Sequence, residues 1–194
     1  MKKVLYILLF TVIASSAMAQ ESFVSWQYSM GFGSGDLHNY INPASFRGVT
    51  FNYSKVVKEG VALGLELGWN VFYENRPFDT YTTGNISYSG NQWRHSNNVP
   101  LLFTADYYLN ADERITPFAG LGMGTMYTER MTDFGAYSFK NDAWQFAVKP
   151  ELGIIVKTGG ANLSLSSKYY YGFKGGDLPA QSYFTINVGL VFRK

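Results

Sequence analysis

The chain ends on a stretch in which large apolar residues alternate strictly with small or polar ones. Every second residue from Phe184 to Phe192 is apolar. Because successive side chains of a β-strand point to opposite faces, the alternation predicts a strand with one apolar face. Its last aromatic is followed by two basic residues, which is typical of a strand that ends at a membrane interface. The apolar set of this closing strand is Phe184, Ile186, Val188, Leu190 and Phe192.

The same period of two recurs along the chain and predicts seven further strands. The clearest places seven apolar residues in register between Val61 and Tyr73. The other strands are predicted at 23–33, 46–56, 99–109, 116–128, 143–157 and 162–173.

The connections between these predicted strands alternate in length. Short turns near Lys58, Asp112 and Gly159 alternate with four longer loops, of which 74–96 and 129–141 are the long polar ones. We allow for a β-hairpin within 74–96. The pattern predicts an all-β fold, an eight-stranded antiparallel up-and-down transmembrane β-barrel with short periplasmic turns and longer external loops.

The N-terminus predicts export. Lys2 and Lys3 precede an apolar segment, and Ala17-Met18-Ala19 forms a small-x-small cleavage site. Residues 1–19 are therefore predicted to be a cleaved signal peptide, and residues 20–194 a single barrel domain. The expected location is the outer membrane of a Gram-negative bacterium.

Composition narrows the function classes. Aromatic residues make up 18% of the chain, yet mean hydropathy is only −0.09, and no run of about 18 apolar residues follows the signal peptide. A helical membrane protein is excluded, and a soluble lipocalin-type barrel with inverted faces is the alternative.

Cleavage removes two of the 16 basic residues and leaves 14 against 14 acidic ones, so net charge gives no reason to expect nucleic acid binding. Cysteine is absent, which excludes disulfides and Cys-ligated metals.

Two segments and the closing strand carry a resemblance to a known family. The segments are Asn98-Val99-Pro100-Leu101-Leu102 and the glycine-rich stretch from Thr116 to Gly124. Together with the closing strand they resemble the outer-membrane β-barrel domain family that includes OmpA-like and OmpW-like small barrels. The resemblance implies that the closing strand is the signal read by the barrel-assembly machinery. The chain departs from many members in that two basic residues follow Phe192.

The most informative polar residues are those that the alternation turns into the lumen. Eight strands enclose a space just wide enough for side chains, so charges there must pair or meet water. Two interpretations remain open, a plug of salt bridges and a gate or narrow polar path. The predicted lumenal polar network is Glu66, Asp106, Lys149, Glu151 and Lys168.

Other candidate motifs carry little chemistry. His95 and Ser96 invite comparison with a hydrolase that has a serine nucleophile and a histidine base. Adjacent residues on a strand point to opposite faces, so the two side chains are not expected to share a site, and His95 is interpreted as a loop-end histidine. His38 is isolated, so there is no pair of histidines at metal-ligating spacing. The glycines of GFGSGD end a strand and do not open a helix. We therefore predict no catalytic residue, no metal and no cofactor.

Three functions follow in order of preference. The first is a structural or surface-interaction barrel without catalysis, whose loops bind an unidentified surface partner. The second is a narrow channel for small or hydrophobic solutes, as the resemblance to OmpW-like barrels implies. The third is a lipid-modifying enzyme. The expected partners are outer-membrane lipid, the barrel-assembly machinery during biogenesis and that surface partner, and no nucleic acid.

Overall fold

The computed structural model describes residues 21–83, 86–110, 113–135 and 137–193. The predicted signal peptide, residues 1–19, lies outside the described residues. The described chain forms one short helix, α1 (Gly35–Tyr40), and eight strands. The strands are β1 (Ser22–Ser34), β2 (Ser45–Lys58), β3 (Val61–Thr83), β4 (Ile86–Tyr108), β5 (Ile115–Phe134), β6 (Tyr137–Val156), β7 (Asn162–Gly172) and β8 (Gln181–Arg193).

The eight strands close into a ring in chain order. Each strand pairs antiparallel with its sequence neighbours, and β1 pairs with β8 from Phe23 opposite Arg193 to Ser34 opposite Ser182. A closed ring has no free edge, so backbone groups find partners within the sheet. Among the described residues, no helix is long and apolar enough to cross a membrane. The predicted eight-stranded antiparallel barrel is therefore confirmed.

The two faces of the sheet differ sharply in chemistry. On the outer face, Phe103 is 70% exposed and Leu121 is 65% exposed. On the inner face, Glu66 and Lys149 are completely buried. A soluble barrel would need the reverse arrangement, with its apolar side chains inside, so the lipocalin-type alternative is wrong. An outer surface of large apolar side chains fits the hydrocarbon of a bilayer.

The predicted loops 74–96 and 129–141 are wrong as loops, although the hairpin allowed for within 74–96 is present. The structure continues β3 to Thr83 and begins β4 at Ile86, and the two strands pair as far as Thr83 opposite Ile86. It likewise continues β5 to Phe134 and begins β6 at Tyr137. Both pairs therefore extend beyond an adjacent strand, since β2 pairs with β3 only as far as Asn70 and β7 pairs with β6 only as far as Ala147. We call these extensions the projecting hairpins, 74–93 and 129–142.

The projecting hairpins escape the period-two test because their described side chains at 74–80, 89–91, 129–135 and 137–142 are exposed or half-buried on both faces. Without an apolar side there is no alternation to detect. Cross-strand contacts stabilise them instead: Thr80 and Ser89 share a hydrogen bond of 2.9 Å, and Lys140 Nζ lies 2.6 Å from Glu129 Oε2. The hydrogen-bonded Lys140 ammonium holds the pKa of the Glu129 carboxyl below its usual range.

A charged residue placed on the outer face tests whether that face lies in the bilayer. Leu121→Arg puts a guanidinium where the chain is lipid-facing, and we expect it to destabilise the barrel by about 2–4 kcal/mol if the site is near the bilayer midplane. Phe78→Arg is the control, because Phe78 is 73% exposed on a projecting hairpin. The measurement is equilibrium unfolding by guanidinium chloride in lipid vesicles. Equal costs for the two variants would contradict a membrane boundary between them.

Candidate functional site in the barrel lumen

A buried carboxylate, Glu66 on β3, organises the middle of the lumen. Its Oε2 accepts hydrogen bonds from Lys149 Nζ at 3.0 Å and from Lys168 Nζ at 2.8 Å. Its Oε1 accepts a hydrogen bond from the Tyr170 hydroxyl at 2.8 Å. Both oxygens are therefore partnered, as a buried charge requires.

A second carboxylate, Glu151 on β6, completes the network from the opposite wall. It lies 2.5 Å from Lys149 Nζ and 3.7 Å from Lys168 Nζ. Glu151 and Lys168 are direct partners across the β6–β7 ladder, and Lys149 is two residues from Glu151 on the same face. Each lysine thus contacts both carboxylates. We call these four residues the lumenal ion-pair network.

Glycines on β5 make the space for these long side chains. A Cβ on Gly122 would lie 3.0 Å from Lys149 Cε, and a Cβ on Gly120 would collide with Asp106 Oδ1. Both glycines stand at inward positions, Gly120 opposite Glu151 and Gly122 opposite Lys149. In a narrow ring, a row without side chains on one strand leaves room for charged side chains from its neighbours.

Asp106 lies in the lumen but outside the ion-pair network. It is only 4% exposed, yet it forms none of the salt bridges found among the described residues. Its Oδ1 has no hydrogen-bond partner in that part of the chain. Among the described protein groups, Asp106 is therefore the lumenal charge without an ion-pair partner.

Apolar layers lie above and below the network. The upper apolar cluster lies toward α1, where the Tyr170 and Tyr183 rings stack at 4.8 Å. Its members are Leu37, Ile41, Phe72, Leu102, Met126, Ala147, Tyr170 and Tyr183. The lower apolar cluster lies toward the short turns and consists of Phe118, Ile155 and Val191, with Phe23 and Tyr108 packed against it. The network is therefore enclosed between two apolar layers.

Helix α1 forms part of the upper closure. It begins at Gly35, within GFGSGD, so the prediction that these glycines end a strand and do not open a helix is wrong. Its Leu37 is completely buried. Tyr40 holds the C-terminal end of α1 in place. The Arg94 and Arg130 guanidinium carbons lie 5.0 and 4.9 Å from the centre of its ring. The Tyr40 hydroxyl also donates to Met131 O at 2.8 Å. Burial raises the pKa of this hydroxyl.

The histidine and serine that suggested hydrolase chemistry do not share a site. His95 lies within β4, not at a loop end, and its ring faces Tyr73 at 4.8 Å on the outer side. Ser96 is completely buried on the inner side, where it accepts a hydrogen bond from Gln181. Among the described residues, no group of three His, Cys, Asp or Glu side chains is placed to hold a metal ion.

The closing strand faces lipid. The side chains of Phe184, Ile186, Val188, Leu190 and Phe192 alternate with inward Thr185 and Asn187, which are completely buried. Their role as an assembly signal stays a prediction.

Sequence reasoning missed the aromatic and aliphatic part of the site. Phe72, Leu102 and Tyr170 stand at inward positions of their strands, so strand parity alone would have found them. We assigned inward positions to polar residues and overlooked the apolar ones among them. The contribution of α1 had no such signal, because a helix of 6 residues carries too little pattern to detect.

Comparisons with solved structures agree with this architecture. Ail of Yersinia pestis, in complex with the heparin analogue sucrose octasulfate, is 12% identical, with a TM-score of 0.55 over 91% of this chain and 100% of Ail. A major outer membrane protein from Thermus thermophilus is 10% identical, with a TM-score of 0.56 over 90% of this chain and 99% of that one. The outer membrane protein OprG from Pseudomonas aeruginosa is 9% identical, with a TM-score of 0.53 over 91% and 96%.

Sequence comparison adds nothing to these structural similarities. No family model matches the chain, and no curated protein matches it. At such low identities the similarity concerns the fold alone. The chain has the fold of eight-stranded outer-membrane β-barrels.

Removing the central carboxylate tests the ion-pair network. Glu66→Gln leaves two buried lysines with one carboxylate between them, and we expect it to destabilise the barrel by about 3–5 kcal/mol. Glu129→Gln is the matched control, because its partner Lys140 is on a projecting hairpin and such pairs contribute little. The measurement is guanidinium unfolding in vesicles. An unchanged midpoint for Glu66→Gln would show that the network does not stabilise the fold.

Proposed function

We propose that the protein is an integral outer-membrane barrel that acts at the cell surface as a structural or interaction protein, without transport or catalysis. The observation that carries the proposal is the closed lumen. The ion-pair network is buried between two apolar clusters, and α1 covers the end toward the projecting hairpins. A polar solute would have to break buried ion pairs and pass two clusters of packed apolar side chains.

The projecting hairpins supply the interaction surface. Three aromatic side chains on them are solvent-exposed: Phe78 at 73%, Tyr137 at 68% and Phe139 at 47%. Tyr137 is about seven residues from Trp144, or roughly 24 Å along the strand, and Trp144 pairs with Tyr127 in the position of a membrane-interface girdle. With Trp144 at the membrane interface, we expect the aromatic side chains of the projecting hairpins to lie beyond the lipid. Exposed aromatic side chains on a rigid scaffold are typical anchors for a protein partner.

The geometry of His95 and Ser96 gives catalysis no support. This adjacent pair suggested a nucleophile and base, but the two side chains face opposite sides of β4. A base must reach the nucleophile within hydrogen-bond distance, directly or through one water. The pair does not fit that requirement, which favours a role without catalysis.

Electrical recording tests the closed lumen. We expect the refolded mature chain, from Gln20 onward, to show no unitary conductance steps in a planar bilayer, and Lys149→Ala to be silent as well because the apolar clusters remain. Folding is verified by circular dichroism and by the shift of electrophoretic mobility on heating. Lys58→Ala is the control at the exposed short-turn end. Steps that change in Lys149→Ala but not in Lys58→Ala would make the protein a channel.

Depth-dependent quenching tests the interaction surface. In a chain whose four native tryptophans are replaced by Phe, Phe78→Trp is expected to fluoresce as a water-exposed indole and to resist quenching by brominated lipids. A chain that keeps only Trp144 is the control and is expected to be quenched. Quenching of both would put the hairpin aromatics in the bilayer and make them lipid anchors, contrary to the proposal.

A further inference from the structure

A small cavity lies inside the barrel between the ion-pair network and the lower apolar cluster. Its volume is about 20 Å³, and Gln27, Asn52, Asp106 and Glu151 are among the residues that line it. About 10–15 Å³ of such volume is enough for one water molecule. The cavity therefore has room for about one water-sized occupant and excludes anything larger.

Three oxygen atoms of the lining residues lack hydrogen-bond partners. Asp106 Oδ1, Asn52 Oδ1 and Gln27 Oε1 are buried, and no described group donates to them. The amide nitrogen of Gln27 is already used, since it donates to Ser164 Oγ at 3.1 Å. All three orphaned atoms are acceptors. One water has only two hydrogens to donate, whereas a cation satisfies several acceptors at once.

The net charge of the buried lumenal groups also favours a cation. Three carboxylates, Glu66, Asp106 and Glu151, are buried with two ammonium groups, Lys149 and Lys168. With all five ionised, the interior carries a net charge of −1, and Asp106 is the carboxylate outside the ion pairs. An uncompensated buried charge is strongly unfavourable. One monovalent cation neutralises the interior, whereas a divalent ion would leave an excess of one positive charge.

We propose that this cavity binds one monovalent cation of about the size of sodium. The ligands are the three unpartnered oxygens of Asp106, Asn52 and Gln27. Oxygen donors of this kind suit hard cations. Gly120 on the neighbouring strand makes the room that Asp106 needs to reach the cavity. The site is independent of the proposed surface function, because it lies inside the barrel.

Direct analysis of bound sodium tests the site. The mature chain is refolded in sodium chloride, transferred by gel filtration into choline chloride and analysed by atomic emission. We expect about one sodium ion per wild-type chain and at least a tenfold loss in Asp106→Asn. Asp177→Asn is the matched control, because Asp177 is exposed in the β7–β8 loop and outside the cavity. Absence of sodium from the wild type, or its retention in Asp106→Asn, would overturn the proposal.

Stability provides a second readout, and its main measurement uses the wild-type protein. A ligand that binds only the folded state raises stability in proportion to the logarithm of its concentration above the dissociation constant. The unfolding midpoint of wild-type protein refolded in choline chloride is expected to rise on addition of sodium chloride at constant ionic strength. An Asn52→Leu variant is expected to weaken this response.

Two other results would refute a monovalent site. A midpoint that responds to micromolar calcium or magnesium and not to sodium would assign a divalent ion to the cavity. A midpoint that ignores every cation but varies with pH in the wild type and not in Asp106→Asn would assign a proton to Asp106 in place of the cation.

Discussion

Closure of the sheet is the constraint on which the rest of this structure depends. A strand in hydrocarbon has no water for its backbone groups, so each must pair on both sides, and the β1–β8 ladder completes that pairing. An eight-stranded ring leaves an interior just wide enough for side chains. The inward side chains must therefore fill the interior and also satisfy one another there.

The interior solves this problem in layers. Apolar clusters lie toward both ends among other buried polar side chains, and in the middle two lysines share two glutamates. Glycines on β5 compensate for the length of these side chains. Burial strengthens each ion pair because the local dielectric is low, but it also makes any unpaired group costly. Asp106 is the residue at which this compensation is incomplete among the protein's own described groups.

The two ends of the barrel differ in structure. One end has short turns, while the other carries two hairpins that continue the strands of the barrel wall and a helix that turns back into its mouth. Because the hairpins are extensions of membrane-anchored strands, their aromatic side chains are held on a rigid support. Rigid support reduces the entropy lost on binding a partner. In the proposed function, the interaction surface therefore depends on the same ladder that satisfies the backbone in lipid.

The sequence by itself determined the barrel, because lipid on one side and a packed lumen on the other impose a period of two that is readable strand by strand. It also determined that Glu66, Lys149, Glu151 and Lys168 point inward. Only the tertiary structure decided which of these charges meet, since Glu66 and Lys149 are 83 residues apart and their contact depends on the register of the whole ring. Closure of the ring likewise decided the isolation of Asp106 and the inward turn of α1. Exposure on both faces decided the form of the projecting hairpins. None of these features leaves a period-two pattern in the sequence.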